Sequence, residues 1–140
     1  MPSPIRIPSG YVSPHAIAFA NADGRADIVD ASKPLPVTSA LPTTTALAGI
    51  ANTTQTVGPF SPVMGRSVIL ALSGSWSGNV AIQRSTDSGV TKLPITASGA
   101  PYGIFTTNCC EGVWDEGEIG AALYLSITLT SGSVNYRMAQ

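Results

Sequence analysis

Three groups of side chains in this 140-residue sequence have the types needed for catalysis or metal binding. The first is His15, the single histidine, which follows Pro14 in a proline-rich stretch. A Ser-His-Asp arrangement needs its imidazole oriented on a rigid framework, which a proline-rich arm does not provide. His15 therefore reads as a surface or interface residue. The second is the acidic cluster Glu111, Asp115, Glu116 and Glu118. Paired carboxylates serve as acid and base in glycoside hydrolysis, and they ligate calcium. The spacing follows no EF-hand loop, so the bland reading is a solvated acidic turn around Gly117, with a calcium-binding or partner-binding loop behind it. The third is the adjacent pair Cys109 and Cys110. Adjacent cysteines cannot staple distant parts of a fold. They read as two small half-buried thiols, with a cross-link to a neighbouring subunit or a redox role as the alternative. Two cysteines and one histidine do not complete a structural zinc site in one chain. No catalytic residue, metal site or cofactor is expected.

A fourth pattern is structural. Ser85-Thr86-Asp87-Ser88-Gly89-Val90-Thr91 matches the Asp-box hairpin signature, S-x-D-x-G-x-T, except that Lys92 stands where an aromatic residue is usual. The aspartate of such a turn bonds backbone amides, and the glycine accepts a positive φ. Among the aromatic residues, Trp76 between Gly74 and Gly78 reads as a loop tip, and so as the aromatic best placed for a partner or a sugar. Trp114 and Tyr136 read as packing residues.

The elements that position these residues fall into two parts. Nine of the eleven prolines precede residue 63. Proline removes a backbone donor and pushes its predecessor to extended geometry. Residues 1–56 are therefore expected to form an extended N-terminal arm with short strands. One strand would be residues 15–20, followed by a turn at Asn21-Ala22-Asp23-Gly24 and a return strand from Arg25 to Val29. Residues 46–50 suit a short helix by composition, although Thr43, Thr44, Thr45 and Gly49 favour coil. The arm is apolar, and an extended apolar segment must lie on something. Ile5, Ile7, Tyr11, Val12, Ile17 and Phe19, together with Trp76, are the candidate interface residues.

Residues 57–140 read as a β-sandwich domain, an antiparallel sandwich or barrel. Leu123, Leu125, Ile127 and Leu129 alternate with polar residues and tyrosine, the period of a half-buried strand. Ser131-Gly132 reads as a two-residue hairpin turn, which would set Leu129 against Val134, Ile127 against Tyr136 and Leu125 against Met138. A second hairpin is expected from residues 67–73 to 79–85 around Trp76, with Leu70 opposite Ile82 and Leu72 opposite Val80. Further short strands are expected over residues 91–96, 103–107 and 111–115. The fold class is thus all-β.

Composition limits the function. Charged residues are 11% of the chain against 44% apolar, with a net charge of −1. Typical domains carry about 25% charged residues. The seven basic residues are scattered, whereas a nucleic-acid binder clusters them. No apolar run reaches the ~18 residues that span a bilayer, and Met1-Pro2-Ser3-Pro4 lacks a signal-peptide layout. Neither nucleic acid nor membrane is an expected partner. A surface this poor in charge suits a homo-oligomer or a protein covered by partners.

The run from Val80 to Thr96, the stretch Gly112-Val113-Trp114-Asp115-Glu116, and the end from Tyr124 through Val134-Asn135-Tyr136-Arg137-Met138-Ala139-Gln140 resemble segments of small virion proteins of tailed bacteriophages. Ile5-Arg6-Ile7-Pro8-Ser9-Gly10-Tyr11-Val12-Ser13-Pro14 is similar to the arm of such proteins. The resemblance implies a virion structural protein assembled in the host cytoplasm: capsid decoration, head–tail connection or a tail-associated component. Its partners would be other virion proteins, such as the major capsid or tail protein. Two alternatives come from other classes: a carbohydrate-binding module with exposed aromatics, and a small hydrolase in which the acidic cluster converges in a cleft.

Overall fold

The computed structural model describes residues 18–20, 22–32, 34–35 and 42–140. Ile5, Ile7, Tyr11, Val12, His15 and Ile17 lie outside the described residues. The chain divides into two compact units, Met1–Ala40 and Leu41–Gln140. The described part of the first unit is a hairpin, β1 (Ala18–Ala20) paired antiparallel with β2 (Ala26–Ile28). Gly24, at φ 74°, turns the chain between them. Phe19 sits half-buried opposite Asp27.

The second unit is all β, with strands β3 (Leu47–Ala51), β4 (Gln55–Phe60), β5 (Ser67–Ser85), β6 (Leu93–Pro94), β7 (Thr96–Ala97), β8 (Ala100–Pro101), β9 (Ile104–Phe105), β10 (Cys109–Asp115) and β11 (Ala122–Ala139). No helix occurs among the described residues. Its first strand corrects two readings of the sequence. Residues 47–51 are neither helix nor coil, and they do not belong to an arm ending at residue 56, because Leu47–Ala51 pairs with the end of β11. Gly49 disfavours helix, and here it does something specific: it faces Tyr136, whose ring occupies the space a side chain would need.

The central strands decide the architecture. Each of the two expected hairpins is instead one long strand. β5 runs 19 residues and β11 runs 18, and they pair with each other along nearly their whole length. Leu70 lies opposite Met138, Leu72 opposite Tyr136, Val80 opposite Ile127 and Ile82 opposite Leu125. An extended strand of 19 residues would span about 60 Å. Yet both strands bring their own ends together. Ser67 at the start of β5 pairs with Asp115, and the next residue, Glu116, is gripped by Arg84 at the other end of β5. Leu123 pairs with Phe60, while the Gln140 side chain bonds both the N–H and the carbonyl of Val63. The ribbon is therefore folded over at its middle, where Gly74, Gly78 and Gly132 all have positive φ. These glycines also admit the partner backbone. A Cβ on Gly78 would collide with the Thr128 carbonyl, and one on Gly132 with that of Ser75.

The fold-over yields two face-to-face layers. One layer has the order β10, the first half of β5, the second half of β11, then β3. The other places β6 and β9 on the second half of β5, and β4 on the first half of β11. Side chains from both halves join one core, including Val68, Leu70, Val80, Ile82, Leu123, Leu125, Ile127, Val134 and Met138, all buried. A bulge between Leu129 and Ser131 adds one residue to β11. Inward positions are odd-numbered before it and even-numbered after it, so one strand keeps its apolar face inward across the fold.

Candidate functional site

At the open side of the sandwich, where the two ends of β5 meet, the chain gathers most of its polar chemistry. Arg84 is the one charged residue in β5. Its Nε and Nη2 donate to both oxygens of Glu116, at 2.9 and 2.8 Å, and Nη2 also reaches Glu118 at 2.6 Å. Glu116 is only 3% exposed and accepts three further bonds, from the Trp114 indole Nε1 at 3.1 Å and from the backbone amides of Gly117 and Glu118. The Arg84 hydrogen bonds, with help from the indole and the amides, lower the Glu116 carboxyl from 4.5 to about 2. Hydrogen bonds to Glu116, and then to Glu118, push the Arg84 guanidinium above its already high value. A general acid at neutral pH needs a raised carboxyl. Glu116 is the opposite, a clamp between the layers that stays ionised at neutral pH.

The acidic cluster of the sequence is thus divided. Glu116 and Glu118 serve Arg84, Asp115 accepts the Ser67 hydroxyl at 2.6 Å, and Glu111 stands on β10 opposite Leu70. Glu116 is not in a solvated turn, because Arg84 and Trp114 enclose it. Among the described residues no three His, Cys, Asp or Glu side chains gather as metal ligands.

The Asp-box forms the turn its signature describes. Asp87 accepts the Thr91 amide on both oxygens, at 2.8 and 3.0 Å, and the Ser85 hydroxyl at 2.7 Å. Ser85 in turn receives the Gly89 amide at 2.9 Å. These bonds hold the Asp87 carboxyl down at about 2, the Thr91 amide contributing most. Lys92, in the place of the usual aromatic, folds back over the Tyr124 ring and donates to the Gly89 carbonyl.

Trp76 is not at an exposed loop tip. It lies within β5 at the fold-over, half-buried against the core, with its Nε1 donating to Asn108 at 2.8 Å. The cysteines are free, Cys109 half-buried and Cys110 exposed. Burial raises the Cys109 thiol, with a smaller contribution from Glu111.

Beside the Arg84 cluster, Trp114 borders a cavity of about 520 Å³ whose other walls include Asp87, Thr91, Leu93 and Thr96. A bulge between Gly112 and Trp114 aims this ring. Gly112 pairs with the outward-facing Ile69, but Trp114 pairs with the buried Val68. Regular alternation would have kept residue 114 on the same outward side as residue 112. The sequence reading missed this site because its members come from positions 32 residues apart. One signal was present: Arg84 is the one charge in the strand expected over residues 79–85, and such a charge needs a counter-charge.

No known protein family, no curated protein and no solved structure matches this chain.

Proposed function

We propose that this chain is a non-enzymatic structural protein of a virion, acting as a capsid decoration protein whose N-terminal segment grips neighbouring subunits. The observation that carries the reading is a surface that is both poor in charge and studded with large apolar side chains. Val90 and Ile119 are each 85% exposed, Ile50 is 69% exposed, and Met64, Leu93 and Ile104 are exposed as well. With so few charges to keep it soluble, such a surface suits a chain that other subunits cover. Contact with copies of itself or with a shell protein would cover those side chains. β3 and β10 also end the first layer with edges that pair with no other described strand, places where an extended segment of a neighbour can add. The similarity of the Val80 to Thr96 and Tyr124 to Gln140 segments to small phage virion proteins supports the same reading. Head–tail connectors and tail-associated proteins share these needs.

Light scattering on the full chain and on residues 41–140 tests the proposal. The cut falls at the boundary between the units and spares β3. The expected result is a defined oligomer for the full chain, or co-sedimentation with the shell, and weaker association of a still folded chain for the shorter one. A full-length monomer that does not bind shells or tails would refute it.

A further inference from the structure

We infer that the open side of the sandwich is a binding groove for a neutral oligosaccharide chain, with Trp114 and Tyr102 as its apolar walls. The inference does not depend on the assembly reading. Three cavities line up there and share walls. The cavity of about 520 Å³ beside Arg84 meets one of about 310 Å³ at Trp114 and Thr96. The second meets a third, of about 320 Å³, at Tyr102, Gly112 and Val113. Together they follow β10 on one side and the segment from Leu93 to Phe105 on the other, and we read them as one trough. From Glu111 to Asp115 alone it runs about 13 Å, and it continues past Trp114 to the Asp-box loop. That length suits a chain of several rings better than a single small molecule.

The lining selects the chemistry. Trp114 is pinned through its Nε1 to Glu116, so the ring is held before any ligand arrives. The β10 bulge that turns it into the trough is the kind of irregularity that re-aims side chains at binding sites. Tyr102, 45% exposed, supplies a second ring further along. The hydroxyls of Thr86 and Thr96 and the carboxylates of Asp87, Asp115 and Glu111 supply polar partners along the way. Flat rings for the apolar faces of sugars, with hydroxyls and carboxylates for their hydroxyl groups, make a saccharide site. Charge argues against an anionic chain, because three carboxylates border the trough and its one cation, Arg84, is already committed to Glu116 and Glu118. Those carboxylates would also attract a basic peptide, and the lysine-rich control below separates that outcome from sugar binding. Trp76, the residue that the sequence offered for this role, is absent from the trough.

The test is fluorescence titration of a Trp76→Phe chain, in which Trp114 is the sole indole, backed by calorimetry on the unmodified chain. The probes are hexasaccharides of glucose, galactose, mannose and N-acetylglucosamine, with hexagalacturonate and a lysine-rich decapeptide as controls. At least one neutral hexasaccharide is expected to bind with Kd below ~1 mM, and its disaccharide about tenfold more weakly. Tyr102→Ala removes a rim ring while leaving its backbone bond to Ile95 intact, and is expected to weaken binding about tenfold with no change in urea midpoint. Thr96→Val, near-isosteric, is expected to weaken it several-fold. The inference fails if no neutral hexasaccharide binds with Kd below ~1 mM. It also fails if either control binds more tightly than all of them, or if Tyr102→Ala and Thr96→Val both leave binding unchanged.

Discussion

Replacing Glu116 by glutamine tests the clamp that closes the folded-over ribbon. The folded carboxyl lies at about 2 against an ordinary 4.5. At ~1.4 kcal/mol per tenfold, that gap corresponds to about 3 kcal/mol of stability near neutral pH. Removing one partner of a buried ion pair gives a similar figure, roughly 3–5 kcal/mol, because the other charge is left behind. Glu118 keeps one bond to Arg84, so the lower end is expected. The sign with pH follows from the direction of the shift. A carboxyl lowered by folding contributes fully above about pH 4.5, where the unfolded chain is also ionised. Below that the unfolded chain takes up its proton first, and the contribution is lost as pH falls through about 2. Urea unfolding of wild type and Glu116→Gln across pH 7 to 2 reads this directly. The expected gap is about 3 kcal/mol at pH 7 with an unchanged m-value, closing toward zero near pH 2. A gap under about 1 kcal/mol at pH 7, or one that stays constant down to pH 2, would refute the clamp.

Gly78→Ala should destabilise by well over ~1 kcal/mol, or prevent folding, because φ is 134° and a Cβ meets the Thr128 carbonyl; an unchanged urea midpoint would mean the strands do not fold over there. Ala81→Cys with Ser126→Cys, in a background with Cys109 and Cys110 changed to serine, should form a disulfide on mild oxidation, seen as a mass loss of two hydrogens. These positions are directly opposite across the β5–β11 pair and would be strangers if each strand were a separate hairpin. Leu125→Ala, at a wholly buried position in the centre of the core, should cost about 2–5 kcal/mol by urea unfolding. A loss below about 1 kcal/mol would place Leu125 outside the core.

Much of this molecule was legible from local signals. The β1–β2 hairpin lies where Asp23-Gly24 put its turn, and the Asp-box forms the turn its spacing describes. The alternation of Leu123, Leu125 and Ile127, and of Val134 and Met138, marked core positions correctly. Even the folding points at Gly74–Gly78 and at Gly132 were visible, since glycine clusters mark where a chain can reverse. The Arg84–Glu116 clamp was legible only as an arginine that needs a counter-charge, because nothing local says which carboxylate, 32 positions away, would supply it.

What the sequence determined by itself was where the backbone reverses and which face of each segment is apolar. Both are local properties, set by glycine's access to positive φ and by the period of two. What the tertiary structure decided was the partner. A chain reversing at a glycine cluster can hydrogen-bond its two arms edge to edge as a hairpin, or lay them face to face as opposite layers, and either choice buries the same apolar residues. Only with β5 and β11 both present does the second choice win. Each half then finds its hydrogen bonds on the other strand, the bulge at residue 130 keeps the apolar face inward, and Arg84 meets Glu116 where the ends close. The cavities beside Trp114 and Tyr102 belong to the same decision, since their walls come from β10, from the second half of β5 and from the segment after it.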